Sequence, residues 1–254
     1  MSAELTVRDE GPARVLVLSN PPRKGAVDAA VLARIAEECA RAGDGVRAVV
    51  LTGVGSDFCS GYDLSSLPKE LAPGELPDSV LGAACAAIEA CPAPVVAAIG
   101  GPAFGAGCEL AAACDFRICA PAARFSLPPA RLGLVYAAEG AWRIVRLIGL
   151  QEARQLFLRA NQIPASHAEK IGLVDSLADD PLHVALKLAL DLEQLAPLSI
   201  AGMKRTLLAL CSAPLDAATR AELEALRRQA FASADASEGR AAFLERRAAR
   251  WTGR

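Results

Sequence analysis

Two short aliphatic runs, residues 15–18 and 46–52, enclose a stretch in which Val31, Leu32, Ile35 and Cys39 recur at helical spacing. Each run is closed by turn residues and reads as a buried strand. Strand, helix and strand in that order require a crossover, which sets the two strands parallel in one sheet. Further strands are expected at residues 95–99, closed by Gly100-Gly101-Pro102, and at 116–119, with a short one at 125–127. A helix is expected to open near Gly105. Past residue 138 the pattern changes, and residues 142–148, 152–158, 182–195, 197–210 and 216–231 all show helical periodicity. A last amphipathic helix is expected over 238–250. The chain therefore reads as α/β, with a core over residues 1–195 and a helical region over 196–254. A helical tail of this kind covers the sheet or docks on another subunit. No internal repeat or low-complexity linker interrupts the chain.

Hydrophobic residues make up 53% of the 254 positions while aromatics supply only 4%, so the core must be built mainly from Ala, Val, Leu and Ile. A chain of this length buries roughly 70–75% of the surface its unfolded form exposes, and needs no staple or metal for stability. Lys and Arg total 27 against 29 acidic residues, a net charge of −2 that argues against a dedicated nucleic-acid surface. Arg240, Arg246, Arg247, Arg250 and Arg254 do cluster near the end, as a solvated helix face or equally as a local anion site. The eight cysteines, at 39, 59, 85, 91, 108, 114, 119 and 211, include no C-x-x-C pair. Several lie in alanine-rich apolar runs, which implies buried, reduced thiols and a reducing compartment. The N-terminus is acidic where a signal peptide needs an apolar centre, and residues 94–114 carry Glu109, a proline and glycines, unlike a membrane span. A cytoplasmic protein without a membrane partner is expected.

Three segments carry chemistry. In Asp57-Phe58-Cys59-Ser60-Gly61-Tyr62-Asp63-Leu64, a glycine beside bulky residues at a strand end can turn the backbone and expose an N–H. Read alone, the segment is better described as an ordinary loop. In Gly100-Gly101-Pro102-Ala103-Phe104-Gly105-Ala106-Gly107-Cys108-Glu109-Leu110, a strand, a glycine turn and a helix start leave unpaired amides aimed at one spot. It is not a dinucleotide loop, because Leu110 stands where the last glycine belongs, and no phosphate loop is present. Glu109 is the only charge between Gly100 and Cys114. Apolar surroundings raise a carboxyl pKa and suit it to proton transfer, although an acid in a first turn is commonly a dipole partner. The third segment runs Leu132-Gly133-Leu134-Val135-Tyr136-Ala137-Ala138-Glu139-Gly140, where Glu139 is a second acid or only an N-terminal charge. His167 and His183 lie far apart and away from any cysteine cluster, which disfavours a zinc site, and no G-x-S-x-G elbow exists.

Phe58-Cys59-Ser60-Gly61-Tyr62-Asp63-Leu64 followed by Gly105-Ala106-Gly107-Cys108-Glu109-Leu110-Ala111 resembles the crotonase (enoyl-CoA hydratase/isomerase) superfamily. The likeness extends through Asn20-Pro21-Pro22, Leu132-Gly133-Leu134-Val135, the segment 143–149 and Gly172-Leu173-Val174-Asp175. It ends in Ala234-Asp235-Ala236-Ser237-Glu238-Gly239 and Phe243-Leu244-Glu245-Arg246-Arg247. The resemblance implies a spiral of ββα units with trailing helices that build a homotrimer or a dimer of trimers. It also implies an acyl-CoA thioester substrate with no separate cofactor and no metal. The oxyanion hole would be the N–H groups of Tyr62 and Ala106. Coenzyme A would lie along Arg23, Lys24, Ala26, Gly61, Asp63 and Leu64, its phosphates near Lys24 and Arg246 or Arg247. Phe104 and Tyr136 would shape the acyl pocket. Glu109 matches the first of a hydratase's two glutamates, but Pro129 occupies the place of the second. The setting of Glu139 resembles that of the catalytic glutamate in a subgroup of Δ3,Δ2-enoyl-CoA isomerases. The expected chemistry is therefore a one-base isomerisation, with Glu139 as shuttle and Glu109 either assisting or polarising the pocket. Hydration, another enolate reaction such as thioester hydrolysis, decarboxylation or C–C cleavage, and non-catalytic acyl-CoA binding stay open.

Overall fold

The computed structural model describes residues 3–43, 45–66, 76, 78–211 and 217–250. Arg254 and Asp216, both singled out in the sequence, lie outside the described residues. The main sheet has six strands in the order β1 (Glu4–Glu10), β2 (Ala13–Ser19), β3 (Ala48–Gly53), β4 (Val95–Ile99), β6 (Phe116–Cys119) and β9 (Ser176–Leu177). The first pair is an antiparallel hairpin, and every later pair is parallel. A second sheet joins β5 (Ala103–Phe104), β7 (Arg124–Ser126) and β8 (Gln162–Pro164).

The parallel strands are mainly apolar because both faces of their sheet are covered. Leu16, Leu18, Val49, Leu51, Val95, Ala97 and Ile99 face a core shared with helices α1 (Ala29–Ala40), α2 (Ser79–Ala90) and α3 (Ala106–Ala113). Their alternating neighbours Val15, Val17, Val50, Val96 and Ala98 pack on Ala185, Ala189 and Leu192 of α6 (Pro181–Glu193). The period-two alternation of a strand assigns each residue to its layer.

Residues 142–148 and 152–158, two helices by pattern, belong to one element, α4 (Ala138–Phe157), broken at Gly149 where φ is 73°. After it come α5 (Ala165–Lys170), α6, and then α7 (Pro197–Cys211), α8 (Ala217–Phe231) and α9 (Ala234–Glu245). The last helix starts and stops earlier than its charge pattern suggests. Ser233 caps its first turn by accepting from Ala236 N, and Arg246 ends it in the left-handed region at φ 54°. All the cysteines are free thiols, and only Cys211 is exposed. No helix among the described residues is long and apolar enough to cross a membrane.

Candidate active site

The site begins where β3 and β4, adjacent parallel strands, release their chains at the same sheet edge. The two exits are tied together: Cys59 N donates to Pro102 O at 3.1 Å and Phe104 N donates to Cys59 O at 2.9 Å. The approach is too close for side chains. A Cβ on Gly101 would lie 1.9 Å from Ser56 O, and one on Gly107 would lie 2.2 Å from Cys59 O. Each exit then turns on a glycine in a backbone region that L-residues avoid, Gly61 at φ 118° and Gly105 at φ 50° with ψ −115°. The residue after each glycine presents its amide. Neither Tyr62 N nor Ala106 N donates to a protein acceptor among the described residues. For Ala106 the reason is general, since it opens α3 and the first amides of a helix have no intrahelical partner.

Both residues line a cavity of about 410 Å³. Gly61 and Leu64 are also in its wall, as are Phe104 and Tyr136, the two expected acyl-pocket residues. Arg23, Lys24, Ala26 and Asp63 are not in the wall but in the two loops beside it. Those loops are clasped: Ser60 N donates to Lys24 O, Asp63 N to Val27 O, and Arg23 pairs with Asp63 at 2.7 Å. Phe243 and Arg247 close the opposite side. Arg247 is held there by two bonds to Glu238, at 2.6 and 2.8 Å, and by Glu245. Gly133 and Gly239 let α9 settle on the 132–133 segment, where any Cβ would strike backbone.

The two expected acids are placed differently from each other. Glu109 is 2% exposed and outside the cavity wall. Its environment is not purely apolar: Arg143 Nη1 donates to it at 3.0 Å, and the same guanidinium reaches Glu89 at 3.0 Å. Arg146 also bonds Glu89, which makes a buried network. Burial pushes the Glu109 carboxyl above its ordinary value, opposed by the Arg143 charge and by the Tyr136 phenol brought up to the carboxylate. Tyr136 is pushed well above its own ordinary value by burial and by that carboxylate. Its ring rests on Phe157, centroids 5.2 Å apart.

Glu139 is exposed, in the first turn of α4 and outside the cavity wall. The reason is helical phase. Gly140 is the residue that faces Glu109, so closely that a Cβ there would lie 2.6 Å from Oε1. Successive helical residues diverge by about 100° around the axis, which turns Glu139 away from the side Gly140 presents. Pro129 does line the cavity. Sequence reasoning missed Arg143 and Glu89, whose partnership with Glu109 spans distant elements. It also missed Asp78, a wall residue preceded by a Pro/Gly-rich stretch that carries no periodicity.

The enoyl-CoA hydratase/isomerase family matches residues 13–254 of this chain. A probable enoyl-CoA hydratase of Mycobacterium tuberculosis is 37% identical over 194 residues, covering 75% of this chain and 76% of that protein. Among solved structures, an enoyl-CoA hydratase/isomerase from Pseudoalteromonas atlantica is 30% identical, with TM-score 0.81 over 98% of this chain and 99% of that one. Methylmalonyl-CoA decarboxylase superimposes with TM-score 0.89 over the whole of both chains at 22% identity, a likeness of fold. The chain is an enzyme of the enoyl-CoA hydratase/isomerase family and has the crotonase fold.

The buried network yields a stability prediction. Replacing Arg143 by Met leaves two carboxylates without their shared cation, and breaking a buried pair in this way costs about 3–5 kcal/mol. Urea unfolding of Arg143→Met should show that loss, with part recovered in Arg143→Met/Glu109→Gln. A loss below about 1 kcal/mol, the range of exposed pairs, would show that the network is not desolvated.

Proposed function

We propose that this enzyme binds an acyl-CoA thioester with its carbonyl oxygen between the amides of Tyr62 and Ala106, and moves a double bond between the Δ3 and Δ2 positions. The observation that carries the reading is the pair of amides without protein acceptors among the described residues, each following a glycine at positive φ, on two residues that line one cavity. Charge accumulates on the thioester oxygen when a proton leaves C2, and preorganised donors at that atom contribute about 3 kcal/mol each to the transition state. Water addition by the two-carboxylate route needs an acid at the place Pro129 fills. Isomerisation needs a single base that takes a proton from C2 and returns it at C4. In this reading Glu109 polarises the cavity through Tyr136. Glu139 reaches the substrate only if the first turn of α4 moves. The adenine of coenzyme A lies beside Arg23, Lys24 and Ala26, with the Gly61–Leu64 turn and Asp63 beneath it and no further cofactor.

The ion pair on Glu109 favours a second reading, a scaffold that holds acyl-CoA without turning it over. A panel of 2-enoyl- and 3-enoyl-CoA esters followed by mass spectrometry separates these. The expected result is conversion of the 3-enoyl esters at unchanged mass. A gain of water identifies a hydratase, and binding without any product identifies the scaffold.

We further infer a homotrimer or dimer of trimers. On α7 the side chains of Met203, Leu207 and Leu210 recur on one helical face and are 53%, 57% and 79% exposed in the single chain. An apolar face of this extent on a soluble subunit marks an association surface. Light scattering should give a trimer or hexamer, and Met203→Glu/Leu207→Glu should give monomers. A monomeric unsubstituted protein contradicts the inference.

A further inference from the structure

We propose that Asp78 is the carboxylate that exchanges a proton with the substrate, and that Glu109 is a positioning residue acting on Tyr136. The proposal rests on the enolate reading above and assigns its base. Among the described residues Asp78 is the only acidic one in the cavity wall, which it shares with both oxyanion amides. Glu109 is outside that wall and committed to Arg143, and Glu139 faces away. The place of the second hydratase glutamate is a proline.

Asp78 is positioned by α2. It is the residue before the helix. One turn further, Leu81 lines the same cavity, so the face of α2 that carries positions 78 and 81 is the one presented to the substrate. The Asp78 charge is felt by two groups at the acyl end: it raises Glu109, after the larger effect of burial, and it raises the Tyr62 phenol, after burial and the Asp28 charge. Asp78 is thus close enough to the acyl end to couple to Glu109 and to Tyr62.

The proton accounting closes without a co-reactant. A carboxylate oxygen of Asp78 takes the proton from C2 of a 3-enoyl thioester. The C–H electron pair becomes a dienolate whose charge falls on the thioester oxygen between the two amides. The protonated Asp78 then returns the same proton to C4, and the C3–C4 double bond becomes C2–C3. Mass is unchanged and the carboxylate is regenerated. Tyr136, steadied by Glu109 and by Phe157, lines the same cavity.

The decisive test measures exchange of the C2 protons of a saturated acyl-CoA, butyryl-CoA, for deuterium from D2O, followed by NMR with catalytic amounts of the full-length enzyme. This reads enolate formation independently of what the enolate does next. The unsubstituted enzyme should exchange the protons. Asp78→Asn should slow exchange by about 10²–10⁴-fold, the usual contribution of a positioned acid or base, with the affinity for butyryl-CoA kept within a few-fold. Asp78→Glu should recover part of the rate, which a purely structural role would not predict. Glu109→Gln should lower the rate less than Asp78→Asn. Exchange at the unsubstituted rate in Asp78→Asn, or exchange abolished by Glu139→Gln or Glu109→Gln while Asp78→Asn exchanges normally, overturns the assignment and leaves the enolate reading standing. An unsubstituted enzyme that binds butyryl-CoA and exchanges no proton overturns the enolate reading, and the assignment with it.

Discussion

Two hydrogen bonds between the exits of β3 and β4 hold the site together, Cys59 N to Pro102 O and Phe104 N to Cys59 O. They form because the strands are parallel neighbours whose ends fall at the same edge. The exits can lie this close only because Gly101 and Gly107 offer no side chain where the other chain passes. Having spent these donors on each other, the two segments reach Gly61 and Gly105 with the next amide of each still unspent. An amide left without an acceptor beside an apolar cavity is costly. The cost is recovered when a ligand oxygen arrives, and more fully when that oxygen carries charge. In the proposed reading, a preference of the site for an enolate over a neutral thioester is a property of its backbone.

The acids are arranged around this fixed point by very different means. Glu109 is close-packed under α4 at the one position where Gly140 leaves room, and Arg143 and Glu89 neutralise it across a buried network. Such a pair is worth little to stability compared with an apolar filling, yet expensive to break, so it fixes geometry more than it adds free energy. Asp78 lines the cavity from the position just before α2. The C-terminal helix α9 of the same chain then lines the cavity, seated on the 132–133 segment at Gly133 and Gly239.

Much of this was legible in the chain before any coordinates. The strands β2, β3, β4 and β6 announce themselves as aliphatic runs, because a strand buried on both faces cannot alternate. The hairpin strand β1 does not: Glu4, Arg8, Asp9 and Glu10 give it the charge of an edge, and nothing in its pattern marks it as paired. Both amide-bearing turns could be located from glycines next to strand ends, since positive φ and close approach leave a mark in the sequence. The surroundings of the acids leave no such mark. The isolation of Glu109 in its own helix suggested an apolar niche, but Arg143 comes from 34 residues further on and is placed by tertiary packing alone. Glu139 and Gly140 differ by one position, and only the phase of α4 decides which of them faces inward. Asp78 follows a stretch rich in Pro and Gly and became a candidate only when the cavity wall could be inspected.

The proposed convergence of the Tyr62 and Ala106 amides on one ligand oxygen is open to direct spectroscopic measurement. With a saturated acyl-CoA labelled with carbon-13 at the thioester carbonyl, isotope-edited infrared difference spectra report the polarisation of that bond in the bound state. Two donors aimed at the oxygen should move the carbonyl stretch to lower frequency than in water, as a single narrow band. A band at or above the aqueous frequency would mean that the oxygen meets no such pair of donors, and the geometry derived for the site would be wrong.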